Sequence, residues 1–301
     1  MRTFRSGFAC AMWRMSAVVG VSLVLGVTPF LSSNFRTALA DQFAPYEATI
    51  LGDNPEAYWP FDPNQPAPFY AGTDISGHNQ PIGATAPVAD SPFGGGDTSE
   101  RTPPAFQLNA AAALPEQQDN FTLEFWLKPD TVRPAIRTAF LDIGFQSAFN
   151  FFFGMVLSID TNGELLLSGH GGSDDFLADS GFSFPNSGQW YHVVISVGPN
   201  SGFGGAPTTV YVNGQQTSGT IYGPLSMGSA DGTSTNNQVL VGQEGPTPDG
   251  VPHYANYSGE IDDLAYYLYA LSGKQAQALC CGSGGTRHRA ADNCRDRAGS
   301  D

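Results

Sequence analysis

The sequence predicts an all-β protein: an antiparallel two-sheet β-sandwich with one short helix at its C-terminal end. Three observations lead there. Apolar and polar residues alternate over short runs, Asn-Gly pairs sit between some of those runs, and no long stretch carries a helical period. Gly-, Pro-, Ser- and Asn-rich loops fill the intervals, in a chain with 36 glycines and 22 prolines among 301 residues.

The first forty residues stand apart. They hold Arg2, Arg5, Arg14 and Arg36 and no acidic residue. An apolar run from Ala17 to Val27 leads to the small-x-small site Ala38-Leu39-Ala40. That order reads as a secretory signal peptide over residues 1–40, since the run is short for a bilayer. A single N-terminal anchor is the other reading. The sandwich is then expected over 41–280, followed by a disordered Cys/Arg/Gly-containing tail over 281–301. No second run is long enough to span a membrane, and the signal peptide places the protein outside the cytoplasm, periplasmic or extracellular, as an expectation.

The strands follow in order. Phe121, Leu123, Phe125 and Leu127 alternate along Phe121–Lys128 and share one face. Trp190–Val197 is aromatic and β-branched throughout. Asn162-Gly163 and Asn213-Gly214 mark two tight hairpins, because both residue types accept positive φ. Gln238–Gly242 adds a short strand. Ser272-Gly-Lys-Gln275 carries a capping box and opens the predicted helix.

Charge and cysteine narrow the function. The formal charge is −15, and it becomes −19 once residues 1–40 and their four arginines are removed. Nucleic acid and anionic membrane surfaces need a basic face, so neither is an expected partner. After Cys10, only Cys280, Cys281 and Cys294 remain, all near the C-terminus. The odd number leaves one thiol free or joined to a disulfide-linked partner, and the spacing is not that of a zinc site.

Several blocks also carry a family resemblance. Tyr46, Ile50-Leu51, Asp53, Pro55, Ala57-Tyr-Trp59 and Phe61-Asp62 resemble the opening of bacterial secreted LamG-like jelly-roll domains, of the concanavalin A-like lectin/glucanase superfamily. Phe121–Pro129, Trp190–Val194, Val210–Gly214 and Gly259–Ser272 resemble its later strands, in the same order. The resemblance implies two packed sheets that meet ligands at loop rims or on a concave face. The fold itself does not choose between lectin, glycanase and adhesion module.

The stretch Gly259-Glu-Ile-Asp-Asp-Leu264 tests the glycanase reading. Glycanases of the superfamily resemble one another in an E-x-D-x-E strand, whose two glutamates act as an acid and nucleophile pair. Alternation places Glu260, Asp262 and position 264 on one face, and position 264 is Leu264. The pattern is broken there, so no catalytic residue is assigned. No nucleophile elbow is present either.

Calcium is the cofactor that the resemblance implies. Asp74-Ile-Ser-Gly-His-Asn79 resembles a turn found near the start of such domains, and Asp74, Asp262 and Asp263 are the candidate ligands. The plain alternative is an Asx-turn at Asp74 and carboxylates capping amides. Sugar-binding chemistry points to the loops with Asp174-Asp175 and with His253-Tyr254, though aromatics there also serve to pin loops. The expected function is a secreted, non-enzymatic binding module for glycan or a cell-surface ligand. The alternatives are a polysaccharide-degrading enzyme and a structural or protein-adhesion module.

Overall fold

The computed structural model describes residues 44–61, 74–78, 87–88, 90–93, 99–102, 106–108, 120–147, 152–171, 176–199, 206–217, 221–223, 234–244 and 253–281. The chain divides into two units, 1–39 and 40–301, and all described residues belong to the second. The expected signal peptide and tail lie outside the described residues, apart from Cys281.

Helix α1 (Ala44–Gly52) comes first. Strands β1 (Ala57–Trp59), β2 (Pro87–Val88), β3 (Ser99–Thr102) and β4 (Phe106–Leu108) follow. Then come β5 (Phe121–Pro129), β6 (Thr138–Ser147), β7 (Phe152–Ile159), β8 (Glu164–Gly171) and β9 (Phe176–Ser183). Next are β10 (Tyr191–Val197), β11 (Ala206–Val212), β12 (Gln215–Gln216), β13 (Ile221–Gly223) and β14 (Ser234–Val241). Strands β15 (Ala255–Asn256) and β16 (Gly259–Tyr267) precede helix α2 (Gly273–Cys281).

The strands form two sheets, as expected of a sandwich. The nine-stranded sheet runs β12-β11-β10-β5-β16-β3-β2, with β1 beside β16 and β13 beside β11. The seven-stranded sheet runs β4-β14-β6-β7-β8-β9, with β15 beside β6. Pairing is antiparallel except for the short β15–β6 contact, which is parallel.

One face of each sheet makes the inter-sheet core. Phe121, Leu123, Phe125 and Leu127 of β5 meet Phe140, Leu141, Met155 and Leu157 of β6 and β7 there. The alternation of β5 thus places the expected side chains inward. Its other face is buried too, because Trp126 joins Tyr46, Ile50, Leu271, Ala276 and Leu279 in a second cluster formed with α1 and α2. The domain is three layers deep, and β5 and β16 are covered on both sides.

Local signals act where expected. Gly163 adopts φ +91° between β7 and β8, and Asn213 and Gly214 adopt +51° and +73° between β11 and β12. Ser272 and Gln275 close their capping box, Ser272 N–H donating to Gln275 Oε1 at 3.0 Å and Gln275 N–H to Ser272 Oγ at 3.4 Å. Helix α1 is a second helix beyond the one expected. It is short, and its buried stripe is Tyr46 and Ile50, one turn apart.

The Asp262-Asp263 pair departs from simple alternation. A register shift separates Asp262, opposite Trp126, from Ala265, opposite Glu124. Asp263 takes up the extra residue at φ +51°, a conformation that Asp tolerates better than most. Leu264 therefore turns into the inter-sheet core with Ile261, and does not share the face of Glu260. The bulge falls where β16 changes neighbour, from β3 at Gly259–Ile261 to β1 at Leu264–Tyr266.

Candidate functional site

The carboxylates of β16 serve the sheet. Glu260 accepts from Arg101 Nη1 at 2.7 Å and lies 3.2 Å from Lys128 Nζ. Arg101 also holds Asp130 at 2.6 Å, and Lys128 holds Asp90. Burial alone would lower the Lys128 ammonium, but hydrogen bonds and charge from Asp90 and Glu260 hold it above its ordinary value. Burial opposes ionisation of Asp90 in the same way, and Lys128 overrides it and lowers Asp90. This is a charge network across strand ends. Leu264 supplies no second carboxylate, so the glycosidase pair is absent from the strand.

Another acid sits deeper. Glu124 is fully buried and accepts from Tyr46 OH and His192 Nε2 through Oε1, each at 2.9 Å. Its Oε2 accepts from Tyr267 OH at 2.6 Å. Trp126 Nε1–H donates to Tyr46 OH at 2.9 Å. Burial first, and then the Glu124 charge, push the Tyr46 and Tyr267 phenols well up. His192 is buried on β10 and hydrogen-bonded to this carboxylate. Tyr46 brings helix α1 onto this cluster, and Tyr46, Glu124, His192 and Tyr267 are all buried.

The proposed calcium ligands do not form one cage. Asp74 is buried, and its Oδ1 accepts from Tyr58 N–H at 2.9 Å and Ser76 N–H at 2.8 Å, while Oδ2 accepts from Ser76 Oγ at 2.9 Å. This is the Asx-turn alternative, tied to β1. Asp263 instead accepts from the phenol of Tyr58. Asp74 and Asp263 thus meet the two ends of the same tyrosine. Asp262 Oδ1 accepts the Asp263 amide at 3.0 Å. Among the described residues no group of three His, Cys, Asp or Glu side chains could hold a metal ion. The three aspartates do not fit a shared calcium site.

The remaining accessible grouping lies at the rim of the seven-stranded sheet. Parallel pairing of Ala255 with Thr138 puts Tyr254 beside Arg137, and Ala255 N–H donates to Arg137 O at 2.8 Å. The Arg137 guanidinium carbon lies 5.5 Å from the centre of the Tyr254 ring. Tyr254 OH meets Ser168 Oγ of β8 at 2.7 Å, on the sheet face turned away from the core. Glu244 Oε2 accepts the His253 and Tyr254 amides at 2.6 and 3.0 Å, and His253 Nδ1 is 3.4 Å from Glu244 Oε1. The loop is thereby held from both ends, with the His253 side chain 40 % exposed.

The family model of the concanavalin A-like lectin/glucanases superfamily matches residues 102–277. The chain belongs to that superfamily.

Solved structures with this superfamily chain's architecture include domain 4 of AbnA, a GH43 extracellular arabinanase from Geobacillus stearothermophilus, in complex with arabinotriose. It has TM-score 0.52 and 19 % identity, over 75 % of this chain and 98 % of that one. The binding domain of Paraclostridial Mosquitocidal Protein 1 has TM-score 0.53 and 16 % identity, over 76 % and 52 %. The ligand binding domain of Botulinum neurotoxin serotype D, in complex with N-acetylneuraminic acid, has TM-score 0.52 and 13 % identity, over 79 % and 52 %. The chain spans about half the length of both toxin structures, 52 % in each case. At these identities the likeness is one of fold. No curated protein sequence matches the chain.

Of the ligand-contact residues expected within this superfamily fold, His253 and Tyr254 come together at the rim, whereas Asp174 and Asp175 lie outside the described residues. Arg137, Glu244 and Ser168 join the site without having been singled out. Arg137 alone had a sequence signal, the scarcity of cations: between residues 41 and 281 only Arg101, Lys128, Arg133, Arg137 and Lys274 are basic. The expected partner cysteines also change status. Cys280 is buried at the end of α2 and already engaged in a disulfide of this chain, so it is not the thiol that reaches another molecule. The side chain of Cys281 and all of Cys294 lie outside the described residues. Among the described residues no helix is long and apolar enough to cross a membrane.

Proposed function

We propose that the chain is a secreted, non-enzymatic binding module that takes carbohydrate at the rim formed by Arg137, Ser168, Glu244, His253 and Tyr254. The observation that carries this reading is the rim itself. It joins an anchored aromatic ring to charged and polar groups on the outer face of the seven-stranded sheet, the chemistry that suits sugar faces and hydroxyls. The strand carboxylates support the non-enzymatic part, since each is spent on the fold. Structures of similar fold lend support: the arabinanase domain was captured with arabinotriose and the neurotoxin domain with N-acetylneuraminic acid. The apolar N-terminal run supports export.

The test is binding of residues 41–301 to a polysaccharide panel, with calcium and with EDTA. At least one polysaccharide is expected to bind, and Tyr254→Ala is expected to weaken it about tenfold, equivalent to about 1.4 kcal/mol. Tyr254→Phe keeps the ring, loses only the Ser168 hydrogen bond, and is expected to lose less. EDTA is expected to change nothing, because Asp74, Asp262 and Asp263 are held by protein donors and do not converge. Absence of binding across the panel would put the protein-adhesion module in first place. Binding abolished by EDTA would return a cation to the mechanism.

A further inference from the structure

The rim holds cations that are not committed to described carboxylates. The chain carries −15 overall, and its body has few basic residues. Arg101 and Lys128 are committed to carboxylates. Arg133 and Arg137 are not. Both lie between β5 and β6, on the segment that leads into the rim. Arg133 donates through Nε to Asn162 O at 3.3 Å, and neither arginine forms an ion pair with a described residue. Arg137 touches the Tyr254 ring and donates no side-chain hydrogen bond within the described structure. In a chain this acidic, an arginine with no carboxylate partner among the described residues is free to take an anion.

The neighbouring acids do not fill that site. Glu244 has only 3 % of its side chain exposed and faces its own loop, on the amides of His253 and Tyr254. Asp160, on the adjacent turn, accepts from the Asn162 and Glu164 amides at 2.8 Å each. Asp130 is shared between Arg101 and Ser258. The Arg137 guanidinium sits over the Tyr254 ring, and its N–H fork matches a carboxylate or sulfate with two parallel hydrogen bonds. Ile136, 63 % exposed on the same segment, adds an apolar spot suited to the C–H face of a sugar ring.

We propose that the ligand of this rim is an acidic glycan, whose carboxylate or sulfate is taken by Arg137 while Arg133 adds longer-range attraction. This rests on the reading of the rim as a carbohydrate site. His253, next to Tyr254 and held by Glu244, is a further exposed polar group of the rim. The two arginines select for charge, and the aromatic and apolar groups select for a sugar over a bare ion.

The experiment measures binding of residues 41–301 to polygalacturonate, dextran sulfate and neutral dextran at low and moderate salt. At least one of the acidic polymers is expected to bind ten or more times tighter than dextran, with affinity falling as salt rises. Preference for polygalacturonate identifies a carboxylate, and preference for dextran sulfate a sulfate. Arg137→Gln is expected to remove most of the preference, Arg137→Lys to restore part of it by charge without the fork, and Arg133→Gln to reduce it a few-fold. Unchanged thermal unfolding of each variant separates lost binding from lost fold. Acidic binding that survives Arg137→Gln, or equal binding of dextran that Arg137→Gln does not alter, overturns the inference. In the dextran case the carbohydrate module itself stands. No binding of any polysaccharide overturns both.

Discussion

Replacing Glu124 by alanine is expected to lower the unfolding free energy by about 3–5 kcal/mol, enough to unfold a large fraction of a marginally stable domain. The carboxylate accepts three hydrogen bonds from fully buried donors, those of Tyr46, His192 and Tyr267. Alanine would leave all three donors without an acceptor and open a cavity between β5 and α1. The cost is desolvation of polar groups that cannot reach water. Glu124→Gln is the informative control. It keeps the shape and one oxygen, and a tyrosine hydroxyl can reverse to accept from the new amide. Its expected cost is about 1–2 kcal/mol. Urea unfolding of the two variants checks the order. Equal, small losses would show that the buried cluster contributes little.

Gly259→Ala is the second large effect, with an expected loss of about 3 kcal/mol or more. A Cβ at Gly259 would overlap the Tyr257 hydroxyl and the backbone carbonyl of Lys128. Neither can retreat. Lys128 belongs to β5, which pairs with β16 at this point, and Tyr257 is buried with its ring centre 5.9 Å from that of Phe140. The glycine is required by the close approach of β5, β16 and the Tyr257 ring, and its φ is ordinary. Gly52 provides the contrast, since a Cβ there meets nothing within 4 Å. Gly52→Ala is expected to be neutral or to stabilise by about 0.5–1 kcal/mol. Equilibrium unfolding of both variants measures the difference. A Gly259→Ala protein as stable as the parent would mean that the β5–β16 ladder can move apart locally.

Much of the fold was legible because it depends on local pattern. The inward set of β5, the turns at Asn162-Gly163 and Asn213-Gly214, and the Ser272–Gln275 cap are each settled by neighbours a few residues away. Helix α1 was not legible, since nine residues with two buried side chains carry almost no periodic signal. Its position depends on Tyr46 reaching Glu124, 78 residues further along the chain. The bulge at Asp263 was hidden for a similar reason. Alternation assumes one residue per step, and the exchange of β3 for β1 beside β16 breaks that count.

The site was less legible than the fold. His253 and Tyr254 stood out by residue type, but type alone did not show that Tyr254 would sit on Ser168 and beside Arg137. That neighbourhood is created by pairing β15 with β6, which are far apart in sequence. Asp74, Asp262 and Asp263 matched the chemistry of a cation site, and the structure uses them as acceptors for Tyr58, Ser76 and a bulged amide. Carboxylates in such turns satisfy backbone donors as readily as they bind ions, and sequence does not separate the two uses.

The most direct test of the rim as the ligand site is hydrogen–deuterium exchange of residues 41–301, free and saturated with the tightest-binding polysaccharide of the panel. The expected result is slowed exchange confined to the start of β6, around Arg137–Ala139, and to His253–Tyr257, with α1, β5 and β16 unchanged. Protection centred instead on Trp190, Lys128 and Arg101, at the charged end of the nine-stranded sheet, with none near Tyr254, would contradict it and move the binding site to the opposite face of the sandwich.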